Sequence, residues 1–225
     1  MLKVVVFDSG WGGELVADYI EEELAVVEVT RVIDWKNAPY SNKNKRQICA
    51  LSEEALKPYL GKVDVIVLAG YVISTMSLEY LSKKYPKQKF VGMRLDVKRF
   101  LRHSDYHQIM VLASSTTFVS GWYQKVRMNL EKSGIKIIEL EENHWIKLID
   151  DGEMNSEILE HDLYSRLDNE TEAIFLADTH FWDIKDDLEE DYKWRGRVLD
   201  ERQFVLHDLC LELGFKGLDG KRAKY

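Results

Sequence analysis

The chain has 225 residues and a mass of 26.3 kDa, and 45% of it is apolar, enough to bury the core of one large domain or two small ones. Lys and Arg number 31 against 39 Asp and Glu, so 31 − 39 leaves a net charge of −8 with no basic stripe to neutralise phosphates, and nucleic acid is excluded as an expected partner. The first apolar run falls far short of the roughly 20 residues that span a bilayer, and no signal-peptide pattern precedes it, so a cytoplasmic protein without membrane contact is expected.

In chain order, Leu2 to Phe7 reads as a β-branched strand. It runs into Asp8-Ser9-Gly10-Trp11-Gly12-Gly13, a turn with three glycines, and an amphipathic helix is expected from Glu14 to Leu24. A second strand is predicted at Val26 to Ile33, a helix from Asn44 to Tyr59, and further strands at Val63 to Ala69 and Lys89 to Met93. The pattern restarts near Val97. Gln108 to Ser114 reads as a strand, Ser115-Thr116-Thr117 as a small-residue turn, and a helix follows through Trp122 and Val126. Strands are then expected at Ile135 to Leu140, at Thr171 to Ala177 and, weakly, at Arg197 to Leu199. A C-terminal helix carries the stripe Leu206, Leu209, Cys210 and Leu213.

Strands alternating with helices place the chain in the α/β class with mainly parallel sheets. The restart favours two pseudo-symmetric lobes, the first from residues 1–95 plus 196–225 and the second from 96–195, although a single doubly wound sheet stays open. The acidic stretch Asp186 to Asp191 is read as a solvated loop or helix face, and Gly217 to Tyr225 as a frayed polar tail. Two cysteines make no disulfide framework, and Cys49 and Cys210, each among apolar neighbours, read as core residues. Asp178, Thr179 and His180 directly follow an apolar strand, as Asp8 and Ser9 do, and α/β sheets carry their sites at such strand ends, so the two outline a cleft.

At Phe7-Asp8-Ser9-Gly10-Trp11-Gly12-Gly13 the chain resembles glutamate racemase and the aspartate/glutamate racemase superfamily. The resemblance continues in order through Asp34 and Ala38-Pro39-Tyr40, with Ser41 in place of a glycine, then Ala113-Ser114-Ser115-Thr116-Thr117, Ser120-Gly121-Trp122-Tyr123 and Thr179-His180. It implies two lobes with the site in the cleft between them, no cofactor, and a small amino acid or carboxylate as ligand. A homodimer is allowed. The resemblance further implies Asp8 and Ser9 at the substrate's amino group, and substrate contacts from Pro39, Tyr40, Ser41, Gly70, Tyr71, Thr117 and Thr179. Against these roles stand bland ones: Asp8 as a turn cap, and the two threonines as partners of strand-end backbone groups.

Two departures matter most. The superfamily carries one cysteine in an Ala-Cys-Asn-Thr segment, where this chain has Ala69-Gly70-Tyr71-Val72, and another just before Thr-His, where it has Asp178. Cofactor-free racemisation needs an acid and a base on opposite faces of the α-carbon, and Gly70 offers neither. Asp178 and His180 form either an acid–base pair suited to an isomerase or lyase, since burial raises a carboxylate's pKa and an imidazole titrates near neutrality, or a salt-bridged pair without catalysis. Asp8, Asp178, His180 and Asp183 match no recognised metal spacing, so no metal is expected. Arg94 replaces an acidic residue and either anchors an anion or pairs with Asp96, while Asp150 aligns with a glutamate that assists one of the cysteines. Three readings follow: a racemase-like binding protein, an enzyme of altered chemistry, and an interaction protein without catalysis.

Overall fold

The computed structural model describes residues 1–93, 106–190 and 196–215. The chain divides into two compact units, Met1–Arg94 with Glu201–Tyr225, and Leu95–Asp200. In the first unit, β1 (Leu2–Asp8), β2 (Val27–Ile33), β3 (Val65–Leu68) and β4 (Lys89–Gly92) form a sheet in the order β2-β1-β3-β4. In the second, β5 (Gln108–Ala113), β6 (Lys136–Glu141), β7 (Ala173–Leu176) and β8 (Arg197–Leu199) form a sheet in the order β6-β5-β7-β8. Every pairing is parallel. The expected α/β class with parallel sheets is observed, and the two sheets share one topology, so the chain is not a single doubly wound sheet.

The central strands carry continuous apolar runs, as expected of parallel strands covered on both faces: Val4, Val5, Val6 and Phe7 of β1 are fully buried, as are Ala173, Ile174, Phe175 and Leu176 of β7. The first unit's helices are α1 (Trp11–Glu23), α2 (Lys45–Leu56), α3 (Tyr71–Lys84) and, returning from the C-terminus, α9 (Arg202–Leu213). The second unit's are α4 (Ser115–Phe118), α5 (Gly121–Lys132), α6 (Asn143–Asp150), α7 (Ser156–Tyr164) and α8 (Lys185–Glu190). Helix α8 carries most of the acidic stretch, with Asp186, Asp187, Glu189 and Glu190 exposed and Leu188 buried. Asp191, the tail from Gly217, Arg94 and Asp96 lie outside the described residues, as does the side chain of Asp150.

Several boundaries differ from expectation: α2 and the strands β3 and β7 are shorter than read, and the expected turn Ser115-Thr116-Thr117 lies in the short helix α4. Helix α1 starts at Trp11, not Glu14, so Gly12 and Gly13 belong to its first turn. A β-carbon on Gly13 would lie 2.6 Å from Asp8 Cβ and 2.6 Å from Ile33 Cδ1, and the glycine is there for close approach of helix to sheet. Among the described residues no helix is long and apolar enough to cross a membrane.

Candidate functional site

In the first unit the polar residues gather at the C-terminal ends of β1, β2 and β3. Asp8 ends β1 and is buried, and its Oδ1 accepts the Ser9 backbone N–H at 2.7 Å. Gly70 lies just beyond β3 as the N-cap of α3. A β-carbon on Gly70 would sit 2.6 Å from Asp8 Oδ1 and 3.3 Å from its Cγ, so the Asp8 carboxylate fills the space of a residue-70 side chain. Asp34 follows β2, its backbone N–H bonded to the Asp8 carbonyl at 2.9 Å. Its carboxylate accepts the Tyr40 hydroxyl at 2.7 Å and the Asn37 side-chain amide at 2.9 and 3.0 Å. Burial, then the hydrogen bond to Asp34, then the charges of Asp34 and Asp8 push the Tyr40 hydroxyl well above the ordinary tyrosine pKa. Tyr40 is therefore a neutral donor committed to Asp34, packed edge-on against Phe7. Tyr71 is buried at the start of α3, Ser9 is half-buried, and Pro39 and Ser41 are exposed on the loop around Tyr40.

The second unit gathers its polar residues in the same places. Ser114 follows β5 and caps the turn of α4, and its buried hydroxyl meets the Thr117 hydroxyl at 3.2 Å. Asp178 caps the 3₁₀ turn Thr179–Trp182 beyond β7: its Oδ1 accepts the His180 backbone N–H at 3.2 Å and pairs with His180 Nδ1 at 2.7 Å. A carboxylate only accepts, so in the neutral imidazole the proton sits on Nδ1 and the lone pair on Nε2. The next residue, Phe181, is fully buried edge-on against Trp145, which anchors the turn that presents the pair. The side chains of Asp178 and His180 remain 14% and 16% exposed. Thr179 is buried.

The strand registers make these positions equivalent. Phe7 pairs with Leu68 as Leu112 pairs with Leu176, and the next amides, Ala69 and Ala177, donate to the carbonyls of Phe7 and Leu112 at 2.9 and 2.8 Å. Gly70 thus corresponds to Asp178, and Asp8 to Ala113. Asp34 corresponds to Glu142, whose N–H donates to the Ala113 carbonyl at 3.2 Å as that of Asp34 does to Asp8. Glu142 is buried beside Arg166 at 3.3 Å, and burial raises its pKa. Reading the sequence singled out Asp34 only within a motif and Glu142 not at all. An acidic residue directly after the second strand of each half was the available signal.

No family model matches the chain. The glutamate racemase of Sulfurovum sp. (strain NBC37-1) is 28% identical over 199 residues, covering 85% of this chain and 75% of that one. The crystal structure of Escherichia coli glutamate racemase in complex with L-glutamate and the activator UDP-MurNAc-Ala has a TM-score of 0.83 at 21% identity, over 97% of this chain and 84% of that one. Glutamate racemase from Aquifex pyrophilus gives 0.68 at 27% identity, over 96% of this chain and 84% of that one. The chain is thus similar to the glutamate racemases in sequence and in fold over most of its length. In this racemase-like chain both cysteines lie in helices of the first unit, Cys49 midway along α2 and Cys210 late in α9, and both are buried. Cys49 Sγ contacts the Met76 carbonyl at 3.3 Å, and burial pushes both thiols above their ordinary pKa, away from the thiolate that chemistry requires. Among the described residues no group of three or more His, Cys, Asp or Glu is placed to hold a metal ion.

Proposed function

We propose that this chain binds a small amino acid or carboxylate at the C-terminal ends of its strands, and that two-thiol racemisation has been lost. The observation that carries the reading is the repeated strand-end constellation, Asp8 with Ser9 and Gly70 in one sheet and Ser114 with Thr117 and Asp178 with His180 in the other, on a racemase-superfamily fold. The position of Asp178 carries a carboxylate, that of Gly70 carries nothing of its own, and the chain's two thiols are buried in helices. Ser9, Thr117 and Thr179 supply hydrogen bonds to a ligand carboxylate or ammonium, and Tyr71 an apolar wall.

The test is titration of the purified chain with D- and L-glutamate and D- and L-aspartate, read by calorimetry and ligand-observed NMR. Saturable binding that Thr117→Val or Thr179→Val weakens about tenfold, the worth of one hydrogen bond near 1.4 kcal/mol, supports the reading. Absence of saturation at millimolar ligand overturns it.

The 2.7 Å contact between Asp178 and His180 favours a second reading, an isomerase or lyase in which His180 Nε2 moves a proton and Asp178 orients the ring. Turnover on a panel of small carboxylates that His180→Gln abolishes would select it, and a panel without turnover would reject it.

A further inference from the structure

Each sheet carries a carboxylate over the junction of its two central strands, but from opposite strands. In the second unit Asp178 follows β7, and Ala113 occupies the matching place on β5; in the first unit Asp8 ends β1, and Gly70 occupies the place that corresponds to Asp178. The exchange is spatially complete, since the Asp8 carboxylate reaches to within 2.6 Å of where a β-carbon at residue 70 would stand. The Asp8 carboxylate accepts the Ser9 N–H, and α1 approaches Asp8 so closely that a β-carbon on Gly13 would clash with Asp8 Cβ. The Ser9 N–H and the close-packed glycines on either side therefore define where this carboxylate lies. Its neighbours are engaged otherwise: the Asp34 carboxylate accepts from Asn37 and Tyr40, and the Tyr40 hydroxyl is given to Asp34.

We infer that Asp8 is the proton-transferring residue of the first unit, its carboxylate standing in for the side chain that Gly70 lacks. In this role Asp8 takes the α-proton of a bound amino acid. The Cα–H bond breaks, an O–H bond forms on Asp8, and the electron pair passes into the ligand's carboxylate as an enediolate; the reverse step returns a proton to Cα. Solvent exchanges with the Asp8 proton between the two steps, so the residue is visible as deuterium entering Cα whether or not configuration changes. Gly70 acts as the positioning residue, since any β-carbon there displaces the carboxylate.

The inference rests on the reading that a small amino acid binds at these strand ends, and the experiment separates the two. D- and L-glutamate and D- and L-aspartate are incubated with the purified chain in deuterium oxide, loss of the α-proton signal is followed by NMR, and binding is measured separately by calorimetry. Wild type is expected to bind at least one probe and exchange its α-proton. Asp8→Asn, which keeps an oxygen for the Ser9 N–H, should lose about 10² to 10⁴ in exchange rate at saturating probe, whatever its affinity. Gly70→Ala should lose exchange as well, and melting temperatures of Gly70→Ala and the double variant Asp8→Ala/Gly70→Ala report the clash directly, the double variant being the more stable of the two. Binding with no exchange in wild type, or exchange in Asp8→Asn at the wild-type rate, overturns the role of Asp8 and leaves the binding reading intact. Failure of all four probes to bind overturns both.

Discussion

One oxygen of Asp178 serves two donors, the His180 backbone N–H that starts the 3₁₀ turn and the His180 ring nitrogen. The turn and the imidazole are therefore set by the same atom, and substitutions divide its tasks. Asp178→Ala removes both and should cost about 1 to 2 kcal/mol, the usual worth of a lost cap. Asp178→Asn keeps an accepting oxygen and should cost less than half as much. Urea unfolding at neutral pH compares them, and equal costs would mean that the charge, not the cap, holds the turn. The buried thiols give a second expectation at this scale. With Cys49 and Cys210 both pushed up by burial, thiol reagents should modify the native chain only as fast as it opens, and Cys49→Ala and Cys210→Ala should leave ligand binding unchanged. Modification that abolished binding faster than unfolding would place a reactive cysteine at the site.

Between elements, Glu53 is the clamp that ties α2 to α3. Its carboxylate accepts the Tyr80 and Tyr85 hydroxyls at 2.5 and 2.6 Å and pairs with Lys84 at 2.7 Å. The ammonium of Lys84, then the two hydroxyls, hold the Glu53 pKa down at about 2 against an ordinary 4.5. A depressed carboxylate pKa stabilises the fold above the unfolded value, and that contribution fades as pH falls from 4.5 towards 2. Glu53→Gln should therefore lose about 1 to 2 kcal/mol at pH 7, a figure kept low because solvent screens the pair, and should converge on wild type across that acid window. A gap between the two that stayed constant down to pH 2 would remove the electrostatic account. The strands themselves were legible to within a residue or two at their ends: β-branched runs such as Val4 to Phe7 are buried and leave a continuous apolar signature, and even the weak segment Arg197 to Leu199 forms β8. Helix α1 was misjudged at its start because a glycine needed for close packing and a glycine needed for a turn look alike in one dimension. Asp8 was legible as a site residue, but the same limit hid its proximity to Gly70. Gly70 reads as an absent side chain until the register of β1 against β3 shows what fills the space.

At the scale of the whole molecule, the first unit is discontinuous. Its sheet is complete by Gly92, yet α9, formed from Arg202 to Leu213 after the whole second unit has been threaded, packs on β3, β4 and α1. Leu209 and Cys210 on α9 are buried there, the Lys89 ammonium on β4 bonds the Glu212 carbonyl, and the Arg202 guanidinium lies 6.0 Å from the Tyr19 ring on α1. The edge strand β4, only four residues long, thus depends on a helix more than a hundred residues later in the chain. Such a late closure makes the first unit the one whose stability waits on the last segment of the chain, whereas the second unit's sheet and helices are continuous in sequence between residues 106 and 200. Leu209→Ala should cost about 2 to 5 kcal/mol, as large-to-small changes in a packed core do. Hydrogen exchange read by mass spectrometry locates the loss: peptides from β3 and β4 should lose protection, while those from β5 and β7 keep theirs, because the α9 contacts belong to the first unit. Equal loss in both would mean that the two units open as one cooperative body, and the division of the core into two independent sheets would not survive that result.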